Sequence, residues 1–452
     1  MGISRREFIR IAAVGAAGLT AGGFGRGGTA KSALRILGAN DRIRVGIVGF
    51  SDRAKNSLLP CFARHSDELN FEIVALSDIW NRRREEGAAF LKELTGRSVV
   101  LTRNNEELYE RVKPDAVIIS TADFQHALHL IESVKAGCDT YVEKPFAETM
   151  EDNRAALKAV RETGKIVQVG SQRRSGSNYI GANAFIKSGK FGPITMVEMC
   201  CNVNQPGRWR RPDLVASIKE EDTDWKRYLL NRPFEPWNPR KYVEYRLFWP
   251  YSSGIPGQWM CHQIDTVHWF ADVPHPRSVT ANGGIYVWKD GRENADTMTA
   301  VFDYGPLDDP KSGFQVLYTS RMHNSAGGTR EWYFSNAGKL DLDRNLVTPE
   351  GGLEEEYASA MGMKPNLLEK FTLPSDTAVT AANTGSDPMT FHHMRNWMEC
   401  VRSRKAPRAD ALAGYRHAVA VIMTTAALRT GQKAMFDEAN QEVVAGGKVF
   451  QY

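Results

Sequence analysis

Apolar residues in the first half of the chain fall in short, nearly unbroken runs, and each run is followed by a mixed, helix-like stretch. Arg42 to Val48 is near-continuously apolar and ends at Gly49. Such a run is expected of a central parallel strand, which is buried on both faces. A helix-like stretch continues to Phe62, and a second apolar run, Ile73 to Leu76, leads to Asp78. The alternation then repeats. Val99 to Thr102 predicts a strand, and Asn105 to Val112 a helix capped by Asn104. Ala116 to Ser120, Thr140 to Val142 and Ile166 to Val169 predict strands. Gln125 to Ala136 and Glu151 to Glu162 predict the helices between them. This spacing implies an α/β fold whose first domain, residues 41–170, is a doubly wound parallel sheet.

From 171 to 452 the pattern implies a second α/β domain. Residues 194–203, 278–288, 296–304 and 313–322 read as strands of an open sheet. Gly283-Gly284 and Gly327-Gly328 mark turns or bulges, and Tyr304 to Gly313 a hairpin loop. Residues 345–387 read as an irregular extension over one edge. Pro388 to Arg402 and Gly414 to Arg429 read as helices that pack back on the body.

Residues 1–35 stand apart. Ser4-Arg5-Arg6-Glu7-Phe8-Ile9-Arg10 precedes a short apolar stretch, Ile11 to Leu19, diluted with Ala and Gly. A positive segment before a short apolar one is signal-peptide architecture. The arginine pair followed by an aromatic resembles the twin-arginine export motif, so a periplasmic or otherwise exported protein is expected. The signal is either cut near Ala21 or kept as an anchor. No later segment reads as a membrane span, so no stable span is expected unless the signal is retained.

The charged fraction is 25% and the formal net charge +5, with no basic stripe interleaved with aromatics. Nucleic acid is therefore not an expected partner. Arg82-Arg83-Arg84 and Arg208 to Arg211 read as solvated faces. The six scattered cysteines form no CxxC and no zinc spacing, and read as small buried residues. No metal ligand set is expected.

In doubly wound sheets, ligands sit beyond the carboxyl ends of the strands. Here those ends carry Gly49 to Arg53, Asp78, Ser120 to His126, Glu143 to Pro145 and Gly170 to Arg174. Set against the dinucleotide fingerprint G-x-G-x-x-G/A, the first loop keeps Gly49 and Ala54 and has Ser51 in the middle. This points to a Rossmann domain with a nicotinamide cofactor. Ser51, Asp52 and Arg53 are candidate phosphate neighbours. Asp78, at the end of the second strand, suits a ribose and favours NAD; nearby Arg82 leaves NADP open. Asp78 equally reads as a helix cap or turn residue. Lys144 would point into the crevice, where it could bond a substrate hydroxyl; a structural pairing with Glu143 is the alternative.

Ser120-Thr121-Ala122-Asp123-Phe124-Gln125-His126 and Glu143-Lys144-Pro145 resemble motifs of the Gfo/Idh/MocA family of oxidoreductases, with Ala122 where Pro is usual. Val169 to Arg174 and Ser188 to Gly192 resemble its crossover and the following turn. The resemblance runs from about Arg42 onward. It implies an N-terminal NAD(P)-binding Rossmann domain and a C-terminal α/β domain with a large open, mostly antiparallel sheet. It also implies cofactor contacts at Thr121, Asp123, His126, Glu143, Lys144 and Gln172, and a homo-oligomer. A D-x-x-x-H helix in the family supplies an acid–base histidine. The matching stretch here is Gly257 to Asp265, where His262 is kept and Gln258 replaces the aspartate. Glutamine can bond a hydroxyl but cannot take its proton. Asp265 is a candidate to orient the His262 imidazole, which otherwise reads as a core histidine; His268 fits that core role better.

Trp225, Tyr228, Trp237, Tyr242, Tyr245, Phe248, Trp249 and Tyr251 cluster ahead of this helix, with Arg208 to Arg211 and Arg240 among them. They suit a carbohydrate platform, or equally a packed core or interface. Arg321, His323 and Asn324 are further candidates. The expectation is an exported NAD(P)-dependent oxidoreductase acting on a carbohydrate or polyol, with tightly held cofactor. A redox-neutral glycosidase cycle of oxidation, elimination and reduction is the alternative. A non-catalytic sugar-binding protein is the third, and Lys144 and His262 argue against it.

Overall fold

The computed structural model describes residues 42–306, 308–309, 311–375 and 387–451. The twin-arginine segment lies outside the described residues. Six parallel strands form the first sheet: β1 (Ile43–Val48), β2 (Phe71–Ser77), β3 (Val100–Thr102), β4 (Ala116–Ile119), β5 (Asp139–Val142) and β6 (Val167–Val169). Their order is β3-β2-β1-β4-β5-β6, the doubly wound arrangement. β4 and β5 are buried at every position; the unbroken apolar run of β4 foretold this, whereas β5 also buries Asp139 and Thr140. The main crossover helices are α1 (Leu59–Leu69), α2 (Asn81–Thr95), α3 (His126–Lys135) and α4 (Met150–Thr163). Asn104 caps its short helix by accepting from the Glu107 N–H, as its position predicts.

After α5 (Ser177–Lys187), the chain builds an eleven-stranded sheet. Its middle strand is β10 (Phe314–Arg321), beside β7 (Met196–Asn202), which pairs on its other side with β11 (Thr329–Ser335). β7 and β10 run parallel, and the other pairs are antiparallel. One side continues through β12 (Gly338–Asp341), β13 (Leu346–Thr348) and β14 (Phe371–Thr372). The other continues through β9 (Thr297–Tyr304), β8 (Ser278–Gly284), β15 (Ala434–Asp437), β16 (Glu442–Ala445) and β17 (Lys448–Val449). The four strands expected here are present. Two corrections concern the edges. Residues 345–387 are not only irregular, because they add β13 and β14. Residues 434–449 add three strands that their short, charge-interrupted segments did not signal.

Three helices join the sheets. α6 (Cys261–Ala271) lies against α5 and α8 (Ala411–Thr430). α7 (Pro388–Ser403) returns to the first sheet, where Met394, Trp397, Met398 and Val401 share a core with Val45, Phe62, Phe71 and Tyr141. α8 also corrects an expectation, since it is long and apolar enough by length and composition to cross a membrane. It is apolar all round because protein surrounds it: 78% of its apolar window is buried. All six cysteines are free and buried.

Candidate active site

A cleft of about 850 Å³ opens beyond the carboxyl ends of β1, β2, β4 and β5, and one end of α6 closes it. Its first wall is the glycine loop. Gly49 adopts φ +84°, and a Cβ there would lie 2.7 Å from Thr121 Cγ2 and 2.9 Å from the Ser120 carbonyl oxygen. Only glycine accepts both the conformation and that approach. The Ser51 hydroxyl bridges to Ser120 Oγ at 2.6 Å and accepts from the Ala54 N–H, so it fastens the loop. The Asp78 carboxylate accepts from the Phe50 and Trp80 N–H groups at 2.8 and 2.9 Å. Burial pushes Asp78 up from its ordinary value, against these two donors. Each carboxylate oxygen has a second lone pair, so the turn role and a ribose contact are compatible. Exposed Asp52 pairs with Arg83 at 3.0 Å and Arg211 at 3.7 Å.

The floor is an ion pair. Arg53 Nε donates to Glu143 Oε1 at 3.0 Å. Burial pushes Glu143 up, but the charges of Arg53 and Lys144 outweigh it and hold the carboxyl below its usual range. His126 is buried between the carbonyls of Pro145 and Thr121, and its burial lowers the imidazole from its ordinary value.

The far wall starts with a wide π-helical turn, Pro256–Met260, that leads into α6. Such turns recur at functional sites. Lys144 Nζ donates to the main-chain carbonyl of Gln258 at 2.7 Å, which ties the two domains together across the cleft. The Gln258 side-chain amide donates to Asp123 Oδ2, and its Oε1 accepts from Arg246 Nε at 2.9 Å. Ser252 also donates to Asp123 Oδ2, at 2.6 Å. The carboxylate missing at position 258 therefore has a counterpart beside it, supplied from the first domain by Asp123. His262 lines the same cleft. Burial, then the charges of Lys144, Arg173 and Arg53, hold its imidazole well below the ordinary value. It is neutral near pH 7 and can accept a proton.

Every candidate cofactor residue named above lines this cleft, as do Lys144, Gln258 and His262. Asp265 does not. It is 1% exposed and takes a bidentate contact from Arg174, at 2.8 and 3.0 Å, with His417 3.6 Å away. A guanidinium and an imidazole thus claim the carboxylate that was expected to orient His262. Arg321, His323 and Asn324 also lie outside the cleft; Arg321 bonds the Ala326 carbonyl and His323 the Thr297 hydroxyl. His268 is a core histidine bonded to the Tyr304 hydroxyl at 2.9 Å. Most of the aromatic cluster is packed interior, with Trp225 stacked on Tyr228 at 5.2 Å between ring centroids. Tyr228, Tyr242 and Tyr245 reach the cleft. Trp209, Trp259 and Arg246 also line it; Trp209 lies in the Arg208 to Arg211 stretch and Trp259 in the Gly257 to Asp265 stretch singled out above, whereas Arg246 was not singled out. Arg208 is not a solvated face: its guanidinium lies 5.3 Å over the Trp259 ring.

The residues present fit a dinucleotide. The glycine cradle leaves room a side chain would fill, and Thr121 Oγ1 and Gln172 Oε1, both of cleft-lining residues, are buried without a hydrogen-bond partner among the described residues.

Residues 43–171 match the model of the oxidoreductase family GFO_IDH_MocA, NAD-binding Rossmann fold. An inositol 2-dehydrogenase of Agrobacterium fabrum is 26% identical over 217 residues, 47% of this chain and 59% of that protein. A scyllo-inositol 2-dehydrogenase (NAD(+)) of Bacillus subtilis is 35% identical over 103 residues, 22% of this chain and 30% of that protein. A 1,5-anhydro-D-fructose reductase of Ensifer adhaerens is 30% identical over 157 residues, 32% of this chain and 46% of that protein. The chain thus spans about half the length of these curated relatives, or less. Among solved structures, the WlbA dehydrogenase of Bordetella pertussis in complex with NADH and UDP-GlcNAcA superposes with TM-score 0.61 at 18% identity. The match covers 88% of this chain and 99% of that one. A levoglucosan dehydrogenase in complex with NADH and levoglucosan has TM-score 0.61 at 13% identity, covering 87% of this chain and 99% of that one. Residues 43–171 are thus an NAD-binding Rossmann domain of the Gfo/Idh/MocA oxidoreductase type, and the described chain as a whole has the two-sheet fold of these dehydrogenases.

Proposed function

We propose that the protein is an NAD-dependent oxidoreductase that acts on a carbohydrate or polyol and holds its cofactor tightly. The observation that carries this reading is the convergence of Lys144, His262 and the Asp123–Gln258 pair on the cleft built by the glycine loop. The names of the relatives, which are dehydrogenases and reductases of cyclic polyols and sugars, support it. Bound NAD would supply a hydride acceptor for a carbinol carbon. Gly49, Thr121 and Asp78 would hold it. The Lys144 ammonium would bond the reacting hydroxyl, and neutral His262 would receive its proton. Asp123, with Gln258 and Ser252, would orient a neighbouring hydroxyl.

Export by the twin-arginine route is part of the proposal, on the strength of Ser4 to Arg10. A second reading, net glycoside hydrolysis by oxidation, elimination and return of the hydride, is favoured by that same segment. An exported enzyme has no free nicotinamide pool to exchange with, and this cycle regenerates its own cofactor. A homo-oligomer is also proposed. Strands β9 and β10 alternate buried with more accessible positions, so the sheet has an open face; light scattering tests the oligomer.

The experiment is to purify the protein without added cofactor, denature it and assay the supernatant for NAD(H) and NADP(H). The loaded protein is then given a panel of sugars, polyols and glycosides while NADH absorbance and released aglycone are followed. Near-stoichiometric NAD and turnover that Lys144→Ala abolishes are expected. A site that neither retains nor binds NAD sinks the proposal. Aglycone release without net NADH selects the second reading.

A further inference from the structure

Seven arginines line the cleft, and five of them meet a carboxylate. Arg53 pairs with Glu143, Arg83 and Arg211 with Asp52, Arg173 with Glu331, and Arg227 with Glu106. Arg208 and Arg246 are the exceptions: among the described residues, neither forms an ion pair. Both are half-buried. A guanidinium partly withdrawn from water with no carboxylate paired to it keeps N–H donors for an anion.

Their placement says where it would sit. Arg246 donates to Gln258 Oε1 at 2.9 Å, and its guanidinium lies 4.6 Å over the Tyr245 ring. Arg208 lies 5.3 Å over Trp259 and 6.0 Å over Trp209, and bonds the Gln205 side chain. Gln258 and Trp259 belong to the wide turn that leads into His262. The backbone is strained in the same place: Trp209 has φ +66°, a left-handed conformation rare for a bulky residue. Trp209 and Trp259 pack at 5.5 Å between centroids, and both line the cleft. Burial lowers Arg246, but Tyr245 and then the charges of Asp123 and Asp52, none of them at ion-pair distance, outweigh it and hold the guanidinium above its ordinary value. Arg208 has no such relief: burial, then Arg246 and Arg211, lower it from its ordinary value.

We propose that the sugar or polyol bound in this cleft carries an anionic group, a carboxylate or a phosphate, which docks on Arg208 and Arg246 beside the Trp209–Trp259 pair. This rests on the proposed function for the sugar part of the ligand. The anion-binding part rests on the two arginines alone. A guanidinium presents paired N–H donors that suit either group.

The test uses the NAD-loaded protein and three probes: glucose, glucuronate and glucose 6-phosphate. Binding is read from tryptophan fluorescence and confirmed by calorimetry. At least one anionic probe is expected to bind about tenfold or more tighter than glucose, the worth of one charge-assisted bond. The two anions separate carboxylate from phosphate. Arg208→Gln should erase the preference and Arg208→Lys should keep part of it, with NAD affinity unchanged in both. No preference for either anion, including no binding by any probe, overturns the inference. So does an Arg208→Gln variant that loses NAD affinity, because the arginine then serves the cofactor. Hydride transfer is scored separately by NADH absorbance. Anion binding without NADH formation or aglycone release from any member of the sugar, polyol and glycoside panel would defeat the proposed function and leave this inference standing.

Discussion

Gln258 stands where a carboxylate was expected, and Gln258→Glu tests why. The substitution keeps size and shape but replaces the amide donor to Asp123 Oδ2 with a carboxylate oxygen. Two carboxylates at a hydrogen-bond separation of about 3 Å repel by about 5 kcal/mol at the effective dielectric of protein sites. The pair escapes by holding one proton. Protonating a glutamate costs about 5 kcal/mol at pH 8 but only about 1 kcal/mol at pH 5. Arg246, 2.9 Å from Oε1, offsets part of the charge. The variant should therefore be destabilised by about 2–4 kcal/mol more at pH 8 than at pH 5. Urea unfolding of both proteins at the two pH values measures this, and taking the difference removes the titrations they share. Lys144 should keep its contact, which is made to the main chain of residue 258. An equal loss at both pH values would refute the reasoning, for it would mean that Asp123 does not feel position 258.

Gly49→Ala brings a Cβ to 2.7 Å from Thr121 Cγ2 at φ +84°; it should destabilise the fold by about 1–3 kcal/mol and weaken NADH binding, read by the cofactor's fluorescence. Buried Glu148 is pushed up to about 8 by burial and then by Asp123, and its Oε2 has no hydrogen-bond partner among the described residues. A carboxyl raised in the folded state stabilises below its unfolded value and loses that stability as pH rises through 8. Glu148→Gln should therefore flatten the decline between pH 5 and pH 9 by a few kcal/mol at most, on the order of 4, and denaturation curves identical in shape to those of the native protein would contradict it. Because His262 is held well below its ordinary value, it stays neutral below pH 6.5; the acid limb of kcat/KM should fall well under that pH, and a limb centred at 6.5 in a pH–rate profile would remove His262 as the base.

The parts of the site set by topology were legible in the sequence. Gly49, Asp78, Ser120 to His126 and Glu143-Lys144 each follow an apolar strand, and in a doubly wound sheet that position alone brings them to one crevice. His262 and Gln258 were legible from the motif they share. What was not legible depends on rivals far away in sequence. The spacing of Asp265 from His262 places them on neighbouring faces of one helix, but nothing local says that Arg174 reaches the carboxylate first. Arg246 and Trp209 lie between strands, in a stretch of short helices and turns without a sustained period. β12 was hidden for a different reason: Lys339-Leu340-Asp341 alternates as a strand would, but the strand is only four residues long and buries its polar positions as well as its apolar ones.

The adjacent arginines of the crossover explain how two sheets present one site. Arg173 turns to Glu331 on β11, while Arg174 turns to Asp265 on α6. Both carboxylates are 1% exposed. Buried ion pairs gain little net stability, because desolvation cancels much of the attraction, but losing one partner of such a pair costs about 3–5 kcal/mol. Their effect is therefore positional. They fix the crossover against the second sheet and the helix at once, and the residue before them, Gln172, is carried into the cleft that His262 lines. The polar atoms of that crossover which bond within the protein set the geometry. Gln172 Oε1 and the neighbouring Thr121 Oγ1 and His262 Nδ1 are buried and unpartnered among the described residues. A buried acceptor or donor left unpaired costs about 1–3 kcal/mol, so these three atoms are where a hydroxyl-rich ligand and a dinucleotide would bond.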